Sequence, residues 1–298
     1  MIRIVTLGTS GSIPTPKTPP SCFAVKWGGV FLFDASEGCQ RQMMKYNTSF
    51  ASVEAVFISH LHADHFLGLF GLVQSMNFTS RKEPLFIFGP KGTRKLFESV
   101  FAIKEMRANF ELKIEDVESS KKPFYETKLF TVNAFSVKHN APAAIGFVLQ
   151  GLSYRRFDMK KCAAAGVKGR LFSELQEKGA AVVNEKKVKY NDVTYIQEGK
   201  KIVYTGDTVQ CPAIASNAKN ADLLIHDGCF LEMHKETAKQ KMHCTVADAA
   251  KNAKKAKVKK LLLTHFSNRY DDLTPLLAEA KKIFENSELA EKGKETLI

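Results

Sequence analysis

The stretch Ser59–Leu69, SHLHADHFLGL, places three histidines and one aspartate within six positions and then continues as an apolar run. His60 and His62 are two residues apart, so they face one side if the backbone is extended as it leaves the strand. Asp64 and His65 reach the start of the helix that follows. Imidazole and carboxylate are ligands that zinc accepts, and a cluster without cysteine suits hydrolysis better than a structural role. The stretch therefore predicts half of a dinuclear metal centre.

Further polar side chains stand where short β-branched or aromatic runs end, and such runs predict strands. They are Asp34, His60, His139, Asp207, His226 and His265. A site assembled at one edge of a sheet layer would collect all six. The alternative, ordinary surface histidines on loops, explains the HxHxDH spacing and the later strand-end residues poorly.

Strands and helical stretches mix along the chain, which has 298 residues of which 44% are hydrophobic. This length is sufficient for one large layered domain or two modest ones. The segment 152–195 differs because it lacks obvious buried strands and reads as a basic, partly helical insertion. We call six of its cations the basic arm residues: Arg155, Arg156, Lys160, Lys161, Lys168 and Arg170.

The formal net charge of +13 favours polyanionic partners such as nucleic acid. Six cysteines are scattered without CxxC pairs, which indicates a reducing compartment and argues against both a disulfide framework and a zinc ribbon. The amino terminus lacks the pattern of a signal peptide, and no apolar run is long enough to span a bilayer. We therefore expect a cytoplasmic protein without a membrane partner.

The HxHxDH motif is the signature of the metallo-β-lactamase superfamily. The chain resembles its tRNA 3′-processing branch, tRNase Z, from LGTSGSIPTP near the amino end to LTHFSNRY near the carboxyl end. The resemblance implies an α/β fold, with one metallo-β-lactamase αββα sandwich domain over residues 1–298. It also implies that residues 152–195 form an inserted, basic, flexible arm that grips the tRNA elbow.

The resemblance implies two zinc ions per subunit, although the same ligand types also accept manganese or iron. One ion would be held by His60, His62 and His139, the other by Asp64, His65 and His265, and Asp207 of YTGDT would bridge them. Asp34 in LFDASEGCQRQ resembles the family's aspartate that orients ligand histidines; the alternative is a turn residue that caps the next helix.

Two loops of the family have imperfect counterparts here. KMHCTVADAA resembles the HST loop, so His243 is the candidate proton donor to the leaving 3′ oxygen and Thr245 a phosphate contact or helix N-cap. LIHDGCF aligns with the HEAT loop, where Asp227 replaces the glutamate that orients the donor. Asp64 would also position or deprotonate the attacking water. The alternative for His243 is an exposed loop residue without a catalytic role.

Several features bear on substrate binding. Arg269 in SNRY either braces the active-site loop or contacts phosphate. Pro19 and Pro20 stand where relatives carry an Arg–Asn pair, so substrate positioning near the cleavage point is expected to differ. The basic arm residues would contact tRNA phosphates without reading sequence. The alternative is a solvated charged excursion without a partner.

The resemblance implies an endoribonuclease that cleaves precursor tRNA after the discriminator nucleotide and leaves a 3′ hydroxyl. It also implies a homodimer in which the arm of one subunit serves the active site of the other. One rival is a metal-dependent phosphodiesterase of the same fold that acts on another RNA or a small phosphodiester and needs no arm. A second rival is an RNA-binding subunit with little turnover.

Overall fold

The fold is described from a computed structural model that places every residue from Met1 to Ile298. The chain divides into two compact units, one formed by residues 1–150 together with 201–298 and the other by residues 151–200. The larger unit contains two seven-stranded sheets and the smaller unit two two-stranded sheets. No helix combines the length and the apolar character that crossing a lipid bilayer requires.

The strands, in chain order, are β1 (Arg3–Gly8), β2 (Cys22–Lys26), β3 (Val30–Phe33), β4 (Val53–Phe57), β5 (Leu85–Gly89), β6 (Leu112–Asp116), β7 (Tyr125–Glu126), β8 (Phe130–Ser136), β9 (Ile145–Gly151), β10 (Tyr154–Phe157), β11 (Ala180–Val183), β12 (Lys186–Lys189), β13 (Thr194–Gln197), β14 (Lys201–Tyr204), β15 (Leu223–Asp227), β16 (Leu261–Thr264), β17 (Ser287–Leu289) and β18 (Glu295–Leu297). The α-helices are α1 (Cys39–Lys45), α2 (Ala63–Phe66), α3 (Gly68–Asn77), α4 (Thr93–Phe101), α5 (Met159–Ala164), α6 (Leu171–Lys178), α7 (Pro212–Asn217), α8 (Lys235–Gln240), α9 (Val246–Ala256) and α10 (Thr274–Ile283). Short 3₁₀ helices cover Phe50–Ser52, Lys104–Met106 and Glu232–His234.

The first sheet has the order β18-β1-β2-β3-β4-β5-β6. Strands β1 to β3 pair antiparallel, whereas β3 to β6 pair parallel. Parallel strands are covered on both faces, which fits the continuous apolar run of β3. Phe33 pairs with Phe57 across β3 and β4, so the residues that follow these two strands emerge at the same edge of the sheet.

The second sheet has the order β17-β16-β15-β14-β9-β8-β7. Strands β14 to β17 pair parallel, and β9 pairs antiparallel with β14. Tyr204 pairs with Ile225, and Asp227 pairs with Thr264, so the carboxyl ends of three strands lie nearly level. Residues that follow these strands therefore meet at one edge.

Aromatic side chains fill the space between the two large sheets. Phe33 contacts Phe147 and Tyr204 of the second sheet, with ring centroids 6.2 and 5.0 Å apart, and Phe57 lies 5.6 Å from Phe147. Each fully buried ring contributes about 1.5–3 kcal/mol, so this layer is a main source of stability. Helices α1, α3 and α4 pack on the outer face of the first sheet, and α7, α9 and α10 on that of the second. The order helix, sheet, sheet, helix is the predicted αββα sandwich.

The smaller unit has more strand structure than the sequence analysis expected. Strand β10 pairs with β13, and β11 pairs with β12, while α5 and α6 complete the unit. Cys162 and Leu175 lie in a small buried core of its own. The expected helical part is present as α5 and α6, but the four short strands were not predicted, because exposed lysines and arginines hide their alternation.

Candidate metal and catalytic site

The predicted ligands follow strands of the larger unit and lie close together. His60 follows β4, His139 follows β8, Asp207 follows β14 and His265 follows β16. All four are buried or nearly so. The edge at which parallel strands of both sheets end is therefore the floor of the candidate site.

His226 is the exception among the six strand-end residues. It is fully buried inside β15, and its Nε2 lies 3.0 Å from Asn252 Nδ2 of α9. Because side chains alternate along a strand, His226 faces the outer helix while its neighbour Asp227 faces the site. The expectation that all six strand-end residues meet was wrong for this histidine.

His60, His62 and His139 form the first ligand group, with ligand atoms within 4.8 Å of one another. His62 Nδ1 lies 3.0 Å from His60 Nε2 and 3.3 Å from His139 Nε2. His139 Nδ1 donates to the carbonyl of Met242 at 2.9 Å, which fixes the ring and leaves Nε2 facing the site. Three imidazoles so close together are typical of a group that shares a cation.

Asp64, His65, Asp207 and His265 form the second ligand group by the same criterion. Asp207 Oδ2 lies 3.2 Å from His65 Nε2 and 3.0 Å from His265 Nε2. The same oxygen lies 3.8 Å from His60 Nε2 and faces the first group as well. Asp207 therefore occupies the position of a bridge between the two groups.

The local conformation around HxHxDH places Asp64 and His65 in this group. His62 is the N-cap of α2, so Asp64 and His65 lie in its first turn. The predicted single helix is broken at Leu67, and α3 begins at Gly68. A Cβ at position 68 would lie 1.8 Å from the carbonyl oxygen of Ser36, so glycine permits the close approach of α3 to the loop after β3.

The protonation states of the first group and of the two carboxylates in the second suit a bound cation. Burial lowers the pKa of each histidine in the first group, so these imidazoles are in the neutral form that binds metal. Burial acts to raise the pKa of Asp207, but His265 and His65 outweigh it and hold this pKa well below its usual range. Burial likewise acts to raise the pKa of Asp64, but the neighbouring His265 and His65 outweigh it and hold this pKa well below its usual range. Both carboxylates are therefore ionised.

Two of the histidines carry buried nitrogens without any hydrogen-bond partner. They are Nε2 of His65 and both ring nitrogens of His265. An unpaired buried polar atom costs about 1–3 kcal/mol, which is not expected unless a partner is missing. The two ligand groups and these orphaned nitrogens together fit metal ions, so the site is able to bind metal.

Asp34 contacts His65 of the second ligand group on the side away from Asp207. Its carboxylate accepts hydrogen bonds from the backbone and hydroxyl of Ser59, at 2.7 and 2.9 Å, and from Tyr204 Oη at 2.5 Å. Its Oδ2 also lies 2.7 Å from His65 Nδ1. Asp34 has a φ of +55° and His265 a φ of +62°, a left-handed conformation that L-residues adopt at a cost. The geometry matches the orienting role that the resemblance implies for Asp34.

His243 and Asp227 form a pair beside the second ligand group. His243 Nδ1 lies 2.8 Å from Asp227 Oδ2, so the shorter aspartate reaches the histidine. Thr208 N and Cys229 N also donate to this carboxylate, at 3.2 and 3.0 Å. Burial would lower the pKa of His243, but the charge and hydrogen bond of Asp227 raise it to about 9. His243 is therefore protonated at neutral pH and is not an exposed loop residue.

Thr245 does not face the cleft. It is fully buried, its Oγ1 accepts from Asp248 N as the N-cap of α9, and it donates to Glu232 Oε2 at 2.8 Å. Both hydrogen-bonding capacities of the hydroxyl are thus used inside the fold. The predicted N-cap is confirmed, whereas a phosphate contact through this side chain is contradicted by the structure.

A cavity of about 280 Å³ opens next to His243. Lys241 and Arg269 line it, together with the glycine loop that follows β1. The Arg269 guanidinium lies 5.0 Å above the ring of Phe230, a cation–π contact that fixes the charge at the cavity wall. Both roles proposed for Arg269, bracing and phosphate contact, are compatible with this position.

The basic arm residues lie in the smaller unit, and all six are exposed. Arg155 Nη1 donates to Thr194 Oγ1 at 3.0 Å, while Asp158 caps α5 below Lys160 and Lys161. Strand β12 adds exposed lysines at positions 186, 187 and 189 that the sequence analysis did not select. A run of lysines in a short strand has no alternation of apolar and polar residues from which a strand is predicted, although the positive charge of the run is evident in the sequence.

Three other contributors were also missed. Ser59 and Tyr204 hold Asp34, and Lys241 lines the cavity beside His243. Ser59 directly precedes the HxHxDH motif and Lys241 is two residues from His243, so proximity in sequence was an available signal for both. Tyr204 reaches Asp34 from the other sheet, and no local pattern reveals that contact.

Comparison with known proteins places this chain in a family. Ribonuclease Z from Methanosarcina mazei is 41% identical over 295 residues, which cover 98% of this chain and 96% of the relative. Ribonuclease Z from Ignicoccus hospitalis is 38% identical over 97% of this chain and 96% of the relative. A family model described as a beta-lactamase superfamily domain matches residues 186–266, and one described as anti-Pycsar protein Apyc1 matches residues 2–163.

Solved structures share the fold. The structure of human short-form tRNase Z superposes with a TM-score of 0.71 at 24% identity, covering 99% of both chains. The metallo-beta-lactamase fold protein YhfI of Bacillus subtilis gives a TM-score of 0.73 at 18% identity over the whole of both chains. The predicted metallo-β-lactamase fold is thereby confirmed. Because the curated relatives match nearly the whole chain at up to 41% identity, the chain belongs to the ribonuclease Z family.

Proposed function

We propose that this chain is a metal-dependent endoribonuclease that removes the 3′ trailer of precursor tRNA. Cleavage falls after the discriminator nucleotide and leaves a 3′ hydroxyl on the tRNA and a 5′ phosphate on the trailer. The observation that carries the proposal is the joint placement of two ligand groups and a protonated His243 at one sheet edge. Family membership adds the activity that the name ribonuclease Z states for the relatives.

The residues present fit two zinc ions. His60, His62 and His139 would hold one ion, Asp64, His65 and His265 the other, and Asp207 would lie between them. When bound, two such ions supply an activated water at neutral pH and compensate the charge of the scissile phosphate. The donor set also accepts manganese or iron.

The reaction is a hydrolysis in which water attacks phosphorus and the bond to the 3′ oxygen breaks. Asp64 is ionised and its side chain is partly open to the cleft, so it orients the attacking water and accepts a hydrogen bond from it. His243 donates its proton to the leaving 3′ oxygen. Asp227 keeps His243 charged and fixes its ring through the Nδ1 contact.

The replacement of the family's glutamate by Asp227 does not weaken this pair. The distance of 2.8 Å is that of a short charge-assisted hydrogen bond. Main-chain donors from Thr208 and Cys229 hold the carboxylate in place from two other sides. The loss of one methylene is thus compensated by the position of the loop.

RNA binding rests on positive charge at two places. The basic arm residues provide exposed cations in the smaller unit, and Lys241 and Arg269 line the cavity beside His243. Such contacts neutralise phosphates without reading sequence. A homodimer in which the arm of one subunit serves the other, and a cytoplasmic location, belong to the same proposal.

The test is cleavage of a precursor tRNA labelled at its 5′ end by the zinc-loaded protein, with the product mapped at single-nucleotide resolution. We expect one cut after the discriminator nucleotide, which chelator abolishes. Binding without cleavage, combined with hydrolysis of a simple phosphodiester, would refute the assignment and favour a phosphodiesterase of the same fold. Tight binding with no hydrolysis of either substrate would favour an RNA-binding subunit.

A further inference from the structure

A third cluster of ligand atoms lies beside the two ligand groups. Asp227, Cys229, His243 and His265 each contribute a ligand atom within 4.8 Å of the others, and all four residues are buried. Only His265 belongs to the second ligand group. The Cys229 thiol has no part in the proposed hydrolysis, and it is the sulfur atom that belongs to this cluster.

One ring nitrogen of His265 has no partner in the fold. Its Nε2 lies 3.0 Å from Asp207 Oδ2 and serves the second ligand group. Its Nδ1 is buried and has no hydrogen-bond partner, and the residue is only 1% exposed. Ligand histidines usually satisfy their second nitrogen with a carboxylate or a carbonyl. Here that nitrogen is free, while the His243 ring stacks on His265 with centroids 4.9 Å apart.

We propose that Asp227, Cys229 and His243, with His265 beside them, form a third metal site for a soft divalent cation such as zinc or cadmium. A thiolate, a carboxylate and an imidazole are a zinc ligand set, and the sulfur favours the softer cadmium ion. The carboxylate and the thiolate together balance the charge of the ion. Two protons leave to solvent on binding, one from the Cys229 thiol and one from His243 Nδ1.

The site requires only a small adjustment of side chains. Ligand atoms about 2.0–2.3 Å from zinc in a tetrahedron lie about 3.3–3.8 Å from one another. The cluster spans up to 4.8 Å, while the Asp227 and His243 atoms lie 2.8 Å apart. The sulfur therefore moves inward, and the hydrogen bond between Asp227 and His243 opens as the ion takes the place of its proton.

The cluster is reached from solvent through the cavity beside His243. Cys229 and His243 both line it, so an ion has a path to the ligand atoms. Lys241 and Arg269 also line it and repel a cation. Burial and the charge of Asp227 raise the pKa of the Cys229 thiol well above its usual value, so the ion must displace a proton held by this thiol. We therefore expect this site to fill at higher metal concentration than the two ligand groups.

Occupation of this site has a consequence that rests on the proposed function. An ion at Nδ1 replaces the proton shared with Asp227, so His243 is no longer an imidazolium. The proton left on Nε2 belongs to a neutral imidazole, which is a much weaker acid and a poorer proton donor to the leaving oxygen. The third ion is accordingly an inhibitor of cleavage. The inhibition depends on Cys229, which supplies the sulfur ligand of this site.

The binding test uses zinc-loaded protein to which cadmium alone is added. Neither ligand group contains cysteine, so thiolate-to-cadmium charge-transfer absorption reports a sulfur ligand. We expect this absorption, with one additional ion per chain, in the parent and in the control variant Cys211→Ser. Cys211 is the N-cap of α7, a position where serine is favourable. We expect neither in Cys229→Ser. Absorption that persists in Cys229→Ser, or its absence from the parent, would overturn the proposal.

The cleavage test separates this inference from the proposed function. At the cadmium concentration that saturates the absorption, we expect cleavage of precursor tRNA to fall at least about tenfold in the parent and less than about twofold in Cys229→Ser. Equal inhibition of both proteins would mean that cadmium acts at the ligand groups and would overturn the inhibitory role. If no protein cleaves tRNA, the proposed function fails, while the absorption still decides the metal site. Cys229→Thr replaces Cys229→Ser if the serine variant does not fold.

Discussion

Replacing Asp227 with asparagine tests how the proton donor is maintained. Asp227 Oδ2 lies 2.8 Å from His243 Nδ1, and its charge and hydrogen bond overcome burial to raise the pKa of His243 to about 9. At pH 8 such a group is about 90% protonated. In Asp227→Asn burial remains without the charge, so the pKa falls below the ordinary value of about 6.5, and at most about 3% of His243 is protonated at pH 8.

The active donor is thus reduced about 30-fold at pH 8 and about fourfold at pH 7. We expect the single-turnover rate constant to fall by these factors, and further if the ring loses its orientation, since general acids contribute about 10²–10⁴. The sign is fixed by the raised pKa: activity is retained below it and lost as the pH rises through it. In a plot of the rate constant against pH, the decline on the basic side therefore moves at least about two pH units lower in the variant. Bound cations lower the pKa of His243 in both proteins, so the difference between them is the quantity to measure.

Single-turnover cleavage from pH 6 to pH 10 is the assay, because slow product release does not mask the chemical step. Glu232→Gln is the matched control, since that carboxylate contacts Thr245 and Lys235 instead of His243. Asp227→Glu, which restores the family's usual residue, is expected to recover most of the rate. A decline on the basic side at the same pH in the parent and in Asp227→Asn would refute the role of the pair.

Three further outcomes are expected. Asp64→Ala abolishes cleavage, by at least about 10³-fold in single turnover, while filter binding shows unchanged tRNA affinity; lost affinity would mean that Asp64 acts in RNA binding. Asp34→Ala weakens zinc binding about 10–100-fold in competition with a chromogenic chelator, because His65 loses its 2.7 Å partner; unchanged affinity would remove its orienting role. Neutralising the four arm residues Arg155, Arg156, Lys160 and Lys161 weakens tRNA binding and lowers the salt slope of log K by about 0.7–0.9 per lost contact; an unchanged slope would exclude them from the interface.

The sequence was most informative where chemistry is encoded locally. The spacing of HxHxDH predicted half of a dinuclear centre, and the strand-end positions of His139, Asp207 and His265 predicted a site at one sheet edge. The division into two ligand sets came from the family resemblance, and the structure places the same residues together. Strand ends are reliable in this respect because parallel strands terminate at a common edge. The layered α/β fold could be predicted for the same reason, from the alternation of short apolar runs and helices.

Contacts that depend on side-chain direction could not be predicted in this way. His226 and Asp227 are adjacent, yet one faces α9 and the other the site, and only the register of β15 decides which. The hydroxyl of Thr245 had two possible partners, and the backbone of α9 takes it. The contact of Tyr204 with Asp34 joins residues 170 positions apart, so it depends on how the two sheets pack.

That last contact also bears on how long the protein survives in a cell. Asp34 follows a strand of one sheet, and Tyr204 ends a strand of the other and donates to the Asp34 carboxylate. His65 Nδ1 contacts the same Asp34 carboxylate. A ligand that binds only the folded chain stabilises it in proportion to the logarithm of its concentration. Metal bound through His65 would therefore tighten the contact between the sheets as well as the centre itself. When metal is scarce, a larger share of the chains unfolds and is degraded, so the abundance of this protein is expected to follow the supply of metal.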